Sequence, residues 1–227
     1  MHTSYGENAV VQIFCVFYYV FYIYAKCISM LFKDENGEVI EHLWTERTEQ
    51  VQAETYITHK SVVLELGARY GTVSCVINKK IGSPANQVSV EPDERVYQAL
   101  ENNMKENGCN FHIVKGVVSK TPCRLDKPEN GYATTSIIDM SGNVPHFTIE
   151  EIEATYTLRF NTLIADCEGF LEQFFDENPH LYEQLELVIF ECDYPERCDH
   201  KKIMNNLFMS GFERIENGFH QVWIKQE

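Results

Sequence analysis

From Val62 onward the chain sets short apolar runs against longer stretches with helical spacing, and this alternation constrains the fold more than any other feature. Val62–Leu66 (VVLEL), Gln87–Glu91 (QVSVE), Phe111–Val118, Asn161–Cys167 (NTLIADC) and Leu185–Cys192 (LELVIFEC) have the length and apolar density of buried strands. Helical segments fall between them. One follows Gly71 to Lys80, and a second spans Glu94–Asn107 with Asp93 as its N-cap. A third opens on a Thr148/Glu151 capping box, a fourth covers Glu168–Phe175, and a fifth runs from Asp199 to Ser210. Strand–helix–strand repetition calls for βαβ units around a mostly parallel sheet with helices on both faces, an α/β fold. Phe212–Ile215 and His220–Ile224 flank Asn217-Gly218, a hairpin signal that adds an antiparallel C-terminal edge.

Residues 61–227 form this α/β domain. Residues 1–60 precede it, with a leading hairpin turning at Asn36-Gly37 and a helix around Glu46–Tyr56. Within them Ala9–Ala25 (AVVQIFCVFYYVFYIYA) is apolar or aromatic except for Gln12. Three readings compete for this run: a short membrane anchor, a buried strand or helix, and an upstream extension outside the fold. As an anchor, Lys26 and Lys33 on its C-terminal side would leave the following domain in the cytoplasm. The eight cysteines include no CxxC pair and no zinc-finger spacing, which reads as reduced thiols in a reducing compartment. A formal net charge of −15, with no dense Lys/Arg block, argues against nucleic acid held by phosphate neutralisation.

In an open α/β sheet, ligands sit beyond the carboxyl ends of the strands. Those ends are Glu65-Leu66-Gly67, Glu91-Pro92-Asp93, Lys115–Ser119, Asp166-Cys167-Glu168 and Glu191-Cys192-Asp193, an acidic rim. Gly67-Ala68-Arg69-Tyr70-Gly71 is a glycine-bounded strand-to-helix turn whose small residues admit a ligand to the backbone. Glu91 ends the next strand, where a carboxylate can accept hydrogen bonds from both hydroxyls of a ribose. The turn lacks the middle and last glycines of the dinucleotide pattern, and Arg69 occupies the place of close approach to pyrophosphate. An NAD-dependent oxidoreductase is therefore disfavoured. A cationic sulfonium suits the acidic rim better.

Val62–Gly71 (VVLELGARYG), Val90–Gly108 (VEPDERVYQALENNMKENG) and Leu163–Phe170 (LIADCEGF) resemble the FkbM-type family of S-adenosylmethionine-dependent methyltransferases. The resemblance runs from about Ser61 to Ile224. Glu65 stands where the family's D-x-G-A-N-x-G turn has Asp, Arg69 where it has Asn, and Ile164 where a Lys often precedes D-x-E-G. The resemblance implies a Rossmann-like, class I methyltransferase fold and S-adenosyl-L-methionine as cofactor. By the same resemblance Glu65, Gly67, Ala68 and Gly71 would line the methionine part of the cofactor. Glu91, followed by Pro92, would hold the ribose, the strand end at Gly116–Val118 with Val117 would border the adenine, and Asp166 and Glu168 would face the methyl and the acceptor.

Methyl transfer needs in-line approach of a nucleophile to an activated methyl, with a base to take the hydroxyl proton. Asp166 is the first candidate base and Glu168 the second. The competing readings are a cofactor-positioning role for Asp166 and a helix N-terminal carboxylate for Glu168. Asp166 and Asp193, on adjacent strand ends, could also share a divalent ion, but no third ligand is evident, so no metal is assigned. His146 reads as a surface loop residue or an acid–base group. The polar connection Ser119–His146 has the length of a binding loop, with Tyr132–Ser136 (YATTS) as its acceptor-contacting part. The expected activity is methylation of a hydroxyl on a sugar or other small polar metabolite, without nucleic acid. A non-catalytic nucleotide-binding module of the same fold is the alternative.

Overall fold

A seven-stranded sheet organises the chain, and four of the apolar runs identified above form its buried central strands. The computed structural model describes residues 30–41, 44–126 and 133–226. The apolar run at 9–25, Cys15, Cys27 and Tyr132 lie outside them. Among the described residues no helix is long and apolar enough to cross a membrane.

In chain order the elements are α1 (Arg47–Tyr56), β1 (Val63–Leu66), α2 (Thr72–Lys80), β2 (Gln87–Glu91), α3 (Tyr97–Glu106), β3 (His112–Lys115), β4 (Val117–Val118), β5 (Cys123–Asp126) and β6 (Thr135–Ile138). There follow β7 (His146–Phe147), α4 (Ile149–Tyr156), β8 (Thr162–Ala165), α5 (Leu171–Glu177), α6 (Leu181–Gln184), β9 (Leu187–Glu191), α7 (His200–Met209), β10 (Phe212–Glu216) and β11 (His220–Lys225). The sheet order is β10-β11-β9-β8-β1-β2-β3. Neighbours from β9 to β3 are parallel, whereas β11 lies antiparallel to β9 and β10 antiparallel to β11. This is the doubly wound sheet with a C-terminal antiparallel hairpin that the pattern predicts.

Period-two alternation splits the core between the two sheet faces. Leu64, Val88, Leu163 and Val188 pack on one, and Val63, Ile164, Leu187 and Ile189 on the other. Met30, Phe32, Ala53 and Ile57, all from the leading segment, are buried in that second cluster. The leading segment makes its expected turn, with Lys33 bridging to Val39.

Several local expectations change. Helix α3 starts at Tyr97, not Glu94, and Val96 precedes it without a side-chain cap. The Asp93 carboxylate takes Arg95 and Thr134 instead of capping α3. The single strand expected over Phe111–Val118 breaks at Gly116, where an added Cβ would meet Pro145 O at 2.2 Å. The chain therefore leaves β2 and pairs β4 with β7. The polar connection after Ser119 contains an antiparallel hairpin, β5–β6. Helix α5 begins at Leu171, so Glu168 lies in a left-handed loop (φ 52°) and not on a helix N-terminus. The Thr148/Glu151 capping box and the Asp199 cap form as the sequence indicates.

Candidate functional site

Strand order reverses between β1 and β8, and a cleft open to solvent lies over the carboxyl ends of the strands there. Its lining includes Gly67, Arg69, Glu91, Pro92, Val117, Asp166 and Glu168.

One half of the cleft is built from the β1 and β2 ends. Gly67 takes φ 87°, and a Cβ there would fall 1.7 Å from Asp166 O. Only glycine lets the bend pass the end of β8. Gly67 N–H and Ala68 N–H both donate to Val90 O at 3.0 Å. Glu91, buried at the end of β2, accepts from Arg69 N–H through Oε2 (2.7 Å) and from Asp93 N–H through Oε1 (2.7 Å). Burial pushes its carboxyl up to about 7 despite these two donors. Burial alone would also raise Asp93, but the Arg95 guanidinium and the Thr134 hydroxyl bring it down to about 2. Thr134, and with it hairpin β5–β6, is thereby tied to the floor of this half, and Thr134 and Ser136 line the cleft.

The other half is a crowd of carboxylates. Asp166 follows β8, Glu168 follows it in the loop, and Asp193 follows β9. Burial, then the charges of Glu46, Glu168, Asp193 and Glu49, hold Asp166 well above the usual carboxylate range. Burial and the Glu168 charge push Asp193 to about 6, and Asp193 Oδ1 accepts from Gly169 N–H at 3.1 Å. Burial also raises Glu168, against hydrogen bonds with Tyr194 and Asp193. Glu46 enters from the segment before α1 and accepts from the Thr72 hydroxyl. Burial pushes it to about 7.

Backbone strain gathers at the same place. Five described non-glycine residues have positive φ: Glu46, Arg69, Thr157, Glu168 and Tyr194. Glu46, Arg69 and Glu168 line the cleft and Tyr194 bonds Glu168, so four of the five belong to the site. Each such residue costs about 1–2 kcal/mol, and strain of this kind persists where surrounding structure enforces it. Arg69 at φ 40° occupies a conformation that Asn, its counterpart in the resembling turn, adopts more easily.

Of the residues singled out in the sequence, Gly67, Glu91, Pro92, Val117, Asp166 and Glu168 meet at the cleft. Glu65, Ala68 and Gly71 do not line it. Glu65 projects to the opposite sheet face, where its buried Oε2 accepts from the hydroxyls of Ser74 (2.6 Å) and Ser89. Ala68 packs in the core, and Gly71 (φ 79°) closes the turn under Leu100. His146 is exposed on β7, away from the cleft. Sequence reasoning missed Glu46, because nothing in its neighbourhood marks it and only the return of the leading segment over the sheet brings it in. It also missed Glu191 as a partner of Asp166 and Asp193. The three place one oxygen each within 4.8 Å of one another, a third carboxylate beside the pair singled out in the sequence. The described cysteines are free thiols.

No family model matches the chain, and no curated protein does. Among solved structures it is similar to precorrin-6y C5,15-methyltransferase of Geobacter metallireducens, at 12% identity and TM-score 0.51, covering 82% of this chain and 93% of that one. It is similar to ribosomal protein L11 methylase of Lactobacillus delbrueckii at 16% identity and TM-score 0.47, covering 81% and 79%. A Streptococcus pneumoniae protein assigned as a tRNA (m1A22) methyltransferase, in complex with S-adenosyl-L-methionine, aligns at 10% identity and TM-score 0.47, covering 79% and 74%. Identities this low speak to architecture alone. The sheet order together with the first of these neighbours gives the chain the Rossmann-like methyltransferase fold.

Proposed function

We propose that the chain is an S-adenosyl-L-methionine-dependent methyltransferase that methylates a hydroxyl of a small polar acceptor, in the manner of the FkbM-type family its motifs resemble. One observation carries this reading: the Glu91 carboxylate grips the Gly67–Gly71 bend through Arg69 N–H, at the switch-point cleft, with Asp166 across from it. The donor set fits the cofactor. Each Glu91 oxygen uses one lone pair on a backbone N–H and keeps another for a ribose hydroxyl. Pro92 and Val117 offer apolar walls for an adenine. Glu65, Ala68 and Gly71 would act from behind, Glu65 by fastening α2 to β2 through Ser74 and Ser89.

The cofactor, when bound, supplies an already activated methyl group. The chain supplies orientation and a place for the acceptor proton. Asp166, its carboxyl held well above the usual range by burial and neighbouring carboxylates, has the raised basicity of a proton acceptor, and Glu168 is placed to receive or relay the proton. The acidic half supports a neutral or cationic acceptor and repels phosphates, which favours a small polar molecule over nucleic acid.

Calorimetry tests the cofactor directly. S-adenosyl-L-methionine should bind and NAD should not, and Glu91→Gln should weaken binding about tenfold or more, roughly one charge-assisted hydrogen bond. Unchanged affinity in Glu91→Gln refutes the ribose assignment. Incubation of acceptor mixtures with methyl-labelled cofactor, followed by mass spectrometry, identifies the acceptor. Labelling of RNA or protein but of no small hydroxyl compound would overturn the acceptor class.

A further inference from the structure

Beside the cleft, Glu49 and His220, which take no part in the site described so far, converge on Glu191. His220 opens β11 and stands directly opposite Glu191 in the antiparallel β9–β11 ladder, so their side chains share one face. Glu49, in the first turn of α1, comes down on the same spot. His220 Nδ1 lies 2.8 Å from Glu49 Oε1 and 3.2 Å from Glu191 Oε1. One donor atom from each residue falls within 4.8 Å of the other two.

The short separations are not hydrogen bonds. Glu49 is 5% exposed, and its Oε1, like His220 Nδ1, is buried without a hydrogen-bond partner. A single imidazolium N–H cannot serve two carboxylates in any case, and here it is aligned with neither. A buried carboxylate, a half-buried one and a ring nitrogen converge here, with Glu49 Oε1 and His220 Nδ1 both left without a hydrogen-bond partner, which is how ligands surround a cation. Donors about 2.1 Å from a tetrahedral ion stand roughly 3.4 Å apart, close to the observed spacings. The charge balance points the same way. Glu191 gathers with Glu49 on one side and with Asp166 and Asp193 on the other, and among the described residues no Lys or Arg ion pair meets Glu191 or Glu49.

We propose that Glu49, Glu191 and His220 bind one divalent transition-metal ion, which clamps α1 to the C-terminal edge of the sheet and leaves coordination open toward solvent. One imidazole nitrogen with two carboxylate oxygens is a borderline donor set, suited to Zn²⁺ or Mn²⁺ more than to Mg²⁺. The open side faces a surface depression that Asp166 and Glu168 also line. The site does not depend on the methyl-transfer reading, because none of its ligands contributes to the cofactor cradle.

The untagged full chain, freed of metal by chelation and dialysis, is titrated calorimetrically with ZnCl₂, MnCl₂ and MgCl₂. One Zn²⁺ per chain is expected, bound more tightly than Mn²⁺, with Mg²⁺ weakest, and with a raised melting temperature. His220→Gln and Glu49→Gln should each weaken Zn²⁺ binding about tenfold or more and abolish the thermal gain. Should Glu49→Gln fold poorly, the visible spectrum of bound Co²⁺ in wild type and His220→Gln decides: loss of a nitrogen ligand must change it. Absence of Zn²⁺ binding below about 1 mM overturns the proposal, as do variants that bind like wild type. It is equally overturned if Asp193→Asn removes binding while Glu49→Gln does not, since the ion would then belong to Asp166, Glu191 and Asp193. Calorimetry with S-adenosyl-L-methionine on the same samples reports the cofactor reading separately.

Discussion

The two halves of the cleft use carboxylates in opposite ways. Toward β2, Glu91 is buried but satisfied: two backbone N–H groups hold its two oxygens, and the bend it grips is itself bonded to Val90 O. Toward β8 and β9, Asp166, Glu168, Asp193 and Glu46 crowd together with few donors among them; burial raises them all, and neighbouring carboxylate charges add to it at Asp166, Asp193 and Glu46. The first arrangement is what a rigid receptor needs, because both Glu91 oxygens are already fixed by backbone donors. The second stores free energy in proximity. A group held near its titration point can take up a proton or meet a positive charge, and the fold tolerates it because the gripping half and the apolar core stabilise the rest.

The harshest way to break this division is Gly67→Ala. Its Cβ would fall on Asp166 O, backbone against backbone, so no rotamer change relieves it. A loss of about 3–5 kcal/mol in urea unfolding, or failure to fold, is expected. A wild-type-like unfolding midpoint would mean that the two halves are not wedged together at this point.

A gentler probe makes one chemical change in both halves. Glu91→Gln replaces an acceptor of two backbone N–H groups and should destabilise by about 1–2 kcal/mol, since the amide nitrogen cannot accept. Asp166→Asn removes a carboxyl whose charged form burial and its neighbours disfavour, and should stabilise the fold while lowering methyl transfer about 10²–10⁴-fold with cofactor affinity retained. Paired denaturation curves and single-turnover rates decide it. Equal signs of stability change would erase the contrast, and full turnover in Asp166→Asn would remove it as the base.

The gripping half was largely legible in the sequence, and the reason is locality. A turn bounded by Gly67 and Gly71 and a carboxylate ending the next strand are separated by one βα unit, so chain connectivity alone brings them together. The acidic half was half legible. Asp166 and Asp193 end neighbouring strands and were found, but Glu46, Glu49 and His220 arrive from elements far away in sequence. Their convergence depends on α1 folding back over the sheet and on the β9–β11 register, neither of which has a local signature. Glu65 was misplaced for a simpler reason. Two-residue periodicity sends it to the same face as Ser89, into hydrogen bonds with that residue and Ser74, while a strand-end reading assigns it to the rim. Glu168 was read as the start of a helix because the apolar spacing of α5 follows it closely. Gly169, at φ 83°, delays the helix and turns Glu168 toward Tyr194 and Asp193.

Acidification sharpens the comparison further. Glu46, Glu65 and Glu91 are each raised by burial to about 7 from an ordinary value of 4.5. The folded chain therefore holds protons that the unfolded chain has released, and stability must fall as pH rises from about 4.5 through about 7, then level off. Metal-free protein should gain about 2–3 kcal/mol for each of these carboxyls between about pH 8 and about pH 5, opposed in part by His200, which burial keeps neutral. Asp93 does not enter this window, since its contribution is lost only as pH falls from 3.8 toward about 2. Melting temperature against pH is the measurement, and a stability maximum at or above neutrality would show that the buried carboxylates are not destabilising.

The smallest effect concerns the hairpin between the halves. Thr134 Oγ1 donates to Asp93 Oδ2 at 3.0 Å and accepts from Arg95 at 3.2 Å, a link between β5–β6 and the loop that follows Glu91. Thr134→Val keeps the shape and removes both bonds. Because the site is partly exposed and Arg95 retains its two-point grip on Asp93, the cost should be about 1 kcal/mol. The informative quantity is where that cost appears. If the hairpin serves the acceptor, KM for the acceptor should rise about two- to fivefold with the dissociation constant of S-adenosyl-L-methionine unchanged, which is the expected result. If cofactor affinity falls instead, the hairpin belongs to the gripping half. Specificity would then have to be sought among the carboxylates alone.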